Sequence, residues 1–329
     1  MIKFKFDKAH PALLIAMMFW GLSFVWTKQL LEVFSPMLII FLRLVLSFVM
    51  LLIFALVSKR LQKIRKQDYL FLLFLSIMQP LLYFIFEGYG IKYTSASIAA
   101  ILIATIPLFT PIGDYFIYGG RLTKMNILGL FISFGGVVFI VFDFDSKLNF
   151  SWFGILMLFL AVITGAIYGL GLKKLTANYN SITITTYQNF IGVFLFLPLI
   201  LFFEWNQLST FPSRLRPELA FSLFNLALFA SSMAFVLFAY GINRIGPSKA
   251  AAFSNSIPIF TLLFAYLVLG EKITVVKLIG LSIVVFGLLL SQIKKNNLII
   301  DKKKPKNFFF SFRTIIKKIL ITRSITTPE

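Results

Sequence analysis

The sequence contains no cysteine, one histidine and few charged residues: Asp, Glu, Lys and Arg together make 13% of 329 residues. Without cysteine there are no disulfides, no thiolate metal sites and no cysteine nucleophile. The single histidine, His10, stands at the very start, and the 12 acidic residues fall mostly between apolar segments, so no catalytic or metal-binding constellation emerges. A phosphate-binding loop is also missing. The stretch "GINRIGPS" has two glycines at a suggestive spacing, but Pro247 stands where the lysine belongs. No cofactor is expected.

What fills the chain instead is apolar. Hydrophobic residues make up 59%, and mean hydropathy is +0.91, beyond the range of an ordinary soluble domain. A bilayer core of about 30 Å needs roughly 20 apolar helical residues to cross it. Ten such segments can be placed, at about 11–31, 36–57, 69–89, 94–118, 124–142, 151–173, 181–203, 219–240, 248–269 and 274–292. Long uncharged runs such as Leu175–Phe203 must satisfy their backbone amides internally in lipid, which requires helices. The start, "MIKFKFDKAHPALLIAMMFWG", has the basic end and apolar run of a signal peptide. Trp20 and Trp26 stand where the small residues of a cleavage site belong, so a retained first helix is expected.

The net charge of +20 is unevenly placed. With the N-terminus set in the cytoplasm, 24 of the 32 Lys and Arg fall on that side, 7 on the other, and Arg43 lies within a span. This is the positive-inside asymmetry, with both termini cytoplasmic in the cytoplasmic (inner) membrane. The basic charge reports topology and contact with anionic lipid, not nucleic acid. The tail repeats the theme. Phe308, Phe312, Ile315 and Ile319 recur at helical spacing beside Lys317 and Lys318, which predicts a short helix on anionic lipid.

One passage is written twice. "YGIKYTSASIAAILIATIPLF" (Tyr89–Phe109) and "YGINRIGPSKAAAFSNSIPIF" (Tyr240–Phe260) agree at 9 of 21 positions without a gap, 151 residues apart. At the same offset Gly119, Thr123, Gly129 and Gly136 meet Gly270, Thr274, Gly280 and Gly287. Five helices is an odd number, so the second unit enters the membrane upside down. The expected architecture is an all-α integral membrane protein of ten transmembrane helices in two inverted five-helix repeats. Residues 1–142 form the first repeat, 143–293 the second, and 294–329 a basic cytoplasmic tail. Inverted repeats allow alternating access, with a solute site near the midplane between them.

Ten helices in a 5+5 repeat, "WG" at Trp20–Gly21, Arg43 in the second helix, "YTSASIAAIL…IPLF" and "LGEKIT…KLIG" together resemble the EamA-type drug/metabolite transporter superfamily. The resemblance covers roughly residues 11–292. It implies a carrier of small metabolites, often amino acids or related solutes, commonly outward and without ATP. One departure is visible: the acidic residue of the turn, present at Glu271, is replaced at the matching position by Gly120. Asp114 is a candidate to supply that charge and face Arg121.

Ionisable groups inside a span are functional candidates, because a charge there costs about 2.5–3.5 kcal/mol on insertion scales. Arg43 can hold a solute carboxylate, or tie its helix to neighbouring carbonyls. Its counterpart in the second half, at an offset of 145, is Gln188. Ser76, Gln79, Tyr83 and Glu87 line one helical face. Glu87 is a candidate for coupling or gating, with a surface pair to Lys92 as the alternative, and Asp114 is the second coupling candidate. Pro80, Pro107 and Pro258 are expected helix breaks. Asn255 and Ser256 in "FSNSIPIF", Asn225 and Ser232 in the eighth helix, and Tyr168 in "TGAIYGLG" are candidate cavity residues, with helix–helix hydrogen bonding as the alternative. Gly165, Ala166 and Gly169 of that stretch permit close packing. Trp20, at mid-span, can join Tyr83 and Tyr168 in an aromatic wall.

The function this supports is a secondary transporter of a small metabolite working by alternating access. A channel or sensor is the second reading, and a lipid-modifying membrane enzyme the third. Oligomeric state, substrate identity and energy source are not written in the sequence.

Overall fold

A computed structural model of the chain describes residues 8–118, 122–141, 151–291 and 298–300. The tail helix expected near 308–319 and the turn Gly119–Arg121 lie outside the described residues. Eight helices are long and apolar enough to cross a membrane: α1 (Ala9–Leu31), α2 (Pro36–Val57), α3 (Lys66–Lys92), α4 (Ala96–Tyr118), α6 (Trp152–Thr176), α7 (Ser181–Phe203), α8 (Pro217–Ile245) and α9 (Pro247–Leu269). Two further apolar helices, α5 (Lys124–Val141) and α10 (Val275–Ser291), are shorter and pack against each other. A surface helix, Trp205–Arg214, links α7 to α8. A minimal antiparallel pair, β1 (Leu122–Thr123) with β2 (Leu298–Ile300), joins the end of α4 to the chain after α10.

Local chemistry sets the helix ends. Ser35, Ser95, Ser151 and Asn180 accept backbone N–H groups of the first turns of α2, α4, α6 and α7, the ordinary role of such residues at an N-cap. Pro36, Pro217 and Pro247 open α2, α8 and α9, where no backbone N–H is needed. Gly270 ends α9 with a left-handed φ of 65°.

Four helices are irregular midway. α3 carries a π segment at Ile77–Leu82, where Gln79 is extended (φ −153°, ψ 120°) and the Gln79–Pro80 peptide is cis. α8 carries a π segment at Leu226–Met233. α4 is interrupted between Ile103 and Ile106, and α9 becomes a 3-10 helix at Phe253–Ser256. Pro107 and Pro258 each follow such an interruption instead of forming it. A proline suits the first turn of a resumed helix, and that is where both stand.

The packing is crossed. α1 lies on α8 and α9, while α6 lies on α3 and α4. A Cβ on Gly136 of α5 would meet Val284 N at 2.9 Å and Gly280 O at 3.0 Å; one on Gly287 of α10 would meet Ser133 N at 2.6 Å and Gly129 O at 2.7 Å. Positions rise along one helix as they fall along the other, so α5 and α10 are antiparallel. α2 and α7 are antiparallel too: Asn189 donates to Ser47 at 2.6 Å, and Gly192 faces Leu44.

Candidate functional site

At the centre, α1, α2, α3, α4, α6, α8 and α9 enclose a small space. Its volume is about 40 Å³; a water needs roughly 10–15 Å³ by the same measure. It has room for a few waters and is too small for a metabolite, so the site is contracted in this conformation.

One wall is charged. Arg43, 3% exposed, donates from Nε to Ser231 Oγ at 2.7 Å, and its guanidinium carbon lies 4.0 Å from the Phe84 ring centroid. Among the described residues its other N–H groups have no protein acceptor. Tyr83 donates to Glu87 Oε1 at 2.8 Å. The alternative pair of Glu87 with Lys92 does not form: Glu87 is buried at the cavity, and Lys92 lies over the Tyr93 ring. Gln79, at the break in α3, completes this wall.

The other wall is aromatic. Trp20 meets Phe235 and Phe238 edge-on at 5.1 and 5.0 Å between ring centroids, and its Nε1 donates to the Ala230 carbonyl at 3.3 Å. That carbonyl lies in the π segment of α8, so the irregular helix supplies the acceptor. Tyr168 reaches the same space and donates to Gln188 Oε1 at 3.1 Å. Gln188 lines a smaller adjoining pocket with Gln79 and Pro80, and its Nε2 is buried without a partner.

Six sequence candidates therefore meet at one cavity: Trp20, Arg43, Gln79, Tyr83, Glu87 and Tyr168. Others are placed elsewhere. Ser232 shares a 2.6 Å hydrogen bond with Ser47 and donates to Ala227 O, within a polar knot that ties α2, α7 and α8. Ser256 donates to Phe253 O in its own helix. Asn225 and Asn255 line neither pocket, although Asn255 Oδ1 is buried without a partner; the neighbouring Ser254 lines the cavity instead. Asp114 also lies off the cavity, close enough to Lys173 for their charges to interact. Gly165 packs against Tyr83 and Ile106, whereas Gly169 approaches nothing.

The sequence reading missed Phe84, Phe235 and Phe238, three of 41 phenylalanines. A signal existed: Phe84 and Phe235 are 151 apart, so carrying the repeat five residues upstream of Tyr89 would have paired them.

Comparison with known proteins agrees with this architecture. The profile of the EamA-like transporter family matches residues 8–142 and again 152–292. An uncharacterized transporter of Archaeoglobus fulgidus is 28% identical over 295 residues, 88% of this chain and 99% of its own length. The uncharacterized transporter YetK of Bacillus subtilis is 28% identical over 87% of each chain. A solved crystal structure of a protein superposes with a TM-score of 0.66 at 14% identity, over 86% of this chain and 96% of the other, a likeness of fold alone. The chain belongs to the EamA-like transporter family: it is an integral membrane transporter, not an enzyme.

Proposed function

We propose that the protein is a secondary transporter that exports a small metabolite, an amino acid or related solute, by alternating access between two inverted five-helix repeats. In this reading α1 to α5 and α6 to α10 all span the cytoplasmic membrane, with both termini in the cytoplasm. The tail after residue 293 rests on anionic lipid.

The observation that carries the reading is reciprocity. Gly136 against Gly280 and Val284 becomes Gly287 against Gly129 and Ser133 when 151 is added to one member and subtracted from the other. Ser47 with Asn189 likewise becomes Leu44 with Gly192 at an offset of 145. Antiparallel helices related this way share a two-fold axis lying across them, the symmetry of an inverted repeat. The irregular segments correspond at the offset of 151, α3 with α8 and α4 with α9. The family profile matching twice supports the same division.

The cavity lies between the halves but is not symmetric in chemistry. Arg43 and Glu87 face Trp20, Phe235 and Phe238. A solute with a carboxylate, an amine and an apolar body complements both walls: Arg43 takes the carboxylate, Glu87 the amine, and the rings the body. The closed centre favours a carrier over an open channel. Of the two coupling candidates, Glu87 is the one placed to couple transport to protons, since Asp114 lies off the cavity.

Counterflow in proteoliposomes tests this. Vesicles preloaded with amino acids should take up a labelled member saturably. Failure of every member to exchange would overturn the amino-acid reading.

A further inference from the structure

The turn between α3 and α4 is held by charges from two other places. From α1, Lys28 Nζ donates to the carbonyls of Ile91 at 2.9 Å and Thr94 at 2.6 Å, at the C-terminal end of α3. From the turn after α9, Glu271 accepts from Ala96 N at 2.9 Å and Ser97 Oγ at 2.5 Å, and more weakly from Ser97 N at 3.4 Å, at the N-terminal end of α4. Each charge has the sign that its helix end favours, and each satisfies backbone groups without intrahelical partners. Lys277, 2% exposed, lies 3.8 Å from Glu271 and donates to Lys272 O.

Glu271 thus ties the second half to the first at one face. At the other face the repeat puts Gly120 in its place, which has no carboxylate to offer. Lys173 stands at the position of Lys28, but its ammonium lies over the Tyr118 ring at 4.4 Å. Among the described residues it makes no hydrogen bond to Ile242 or Ile245, the counterparts of Ile91 and Thr94 at the 151 offset. Among the described residues this clamp of Lys28 and Glu271 stands on one face only.

We infer that Glu271 is a one-sided latch that holds the outer mouth shut, so that the resting carrier opens more readily to the cytoplasm. The inference rests on the carrier reading and orientation proposed above. It explains how two similar halves favour one direction of opening, since the difference lies in a carboxylate that only one turn possesses.

The absence of cysteine makes the test direct. Ile106 lines the cavity, so Ile106→Cys reports its accessibility to a membrane-impermeant maleimide in right-side-out and inside-out vesicles. Glu271→Ala should raise labelling from the outer face about tenfold, the factor that corresponds to ~1.4 kcal/mol, and lower it from the cytoplasmic face. Ser97→Ala, which removes one arm, should shift it the same way by less. Gly120→Glu, which supplies the missing carboxylate, should reduce cytoplasmic labelling. Unchanged labelling in folded Glu271→Ala or Ser97→Ala protein, or a shift toward the cytoplasmic face, overturns the latch. The readout needs no solute, so a silent counterflow panel beside a labelling shift would count against the substrate reading and leave the latch standing.

Discussion

The Ser133 hydroxyl of α5 donates a 2.9 Å hydrogen bond to the Val284 carbonyl of α10, and these positions are 151 residues apart. They are equivalent positions of the repeat, so the bond lies where the proposed two-fold axis crosses the helix pair. The glycines on either side let the backbones approach closely, as small residues do between membrane helices. The two shortest of the ten apolar helices thereby find their partner in each other.

This crossing predicts a sharp contrast among glycines. Gly287→Ala places a Cβ 2.6 Å from a backbone nitrogen that cannot swing aside. Overpacking of this kind costs about 1–3 kcal/mol, which for a chain of this size lowers the thermal midpoint by several degrees, at roughly 2–4 °C per kcal/mol. Gly169→Ala meets nothing within 4 Å and should leave the midpoint unchanged or slightly raised. Thermal unfolding in detergent, followed by tryptophan fluorescence, reads both. Equal midpoints would refute the tight crossing.

The eight long apolar spans and three of the four helix irregularities were legible because hydropathy and proline display them directly, whereas the π segment of α8, which contains no proline, left no such mark. Trp20, Arg43 and Tyr83 were legible because polar or amphipathic residues at mid-span need a reason to be there. Ser232 and Asn225 met the same criterion, yet Ser232 is buried among Ser47, Asn189 and Ser231. A serine facing a cavity and one facing another helix have the same spacing, so only the partner helix separates them. The aromatic wall was hidden for the opposite reason: phenylalanine is so common here that no single one stands out.

Arg43 should be needed for binding an anionic group. Arg43→Gln removes the charge and the fork of donors left unpaired toward the cavity, and it should lower exchange of a carboxylate solute at least tenfold, ~1.4 kcal/mol or more. Arg43→Lys should rescue poorly, because an ammonium cannot reproduce a bidentate contact or its stacking on Phe84. Counterflow at matched protein amounts, with the thermal midpoint as the folding control, checks this. Full activity in Arg43→Lys would mean that charge alone matters.

The aromatic wall should select the body of the solute. Phe238→Ala opens one side of the Trp20 ring and should raise KM for solutes with large apolar side chains about tenfold, a loss of ~1.4 kcal/mol, while small solutes are little affected. Competition between labelled and unlabelled solutes of graded size measures the difference. A uniform loss across the series would point to a collapsed fold rather than to selectivity.

Glu87 and Asp114 should separate in their response to protons. In Glu87→Gln the side-chain oxygen still accepts from Tyr83, so the geometry persists and only the titratable charge goes. Protonating Glu87 removes the charge that holds the solute's amine and losing the proton restores it, so proton gain and loss switch the site between weaker and stronger binding of an aminated solute. Wild-type transport should therefore respond to an imposed pH gradient. Glu87→Gln should exchange solute but ignore the gradient, and should bind anionic solutes more tightly than cationic ones. Asp114→Asn, which alters a group beside Lys173 and away from the cavity, should keep the wild-type response. Solute flux with and without the gradient decides it, and a Glu87→Gln carrier that still follows the gradient would remove this carboxylate from the coupling step.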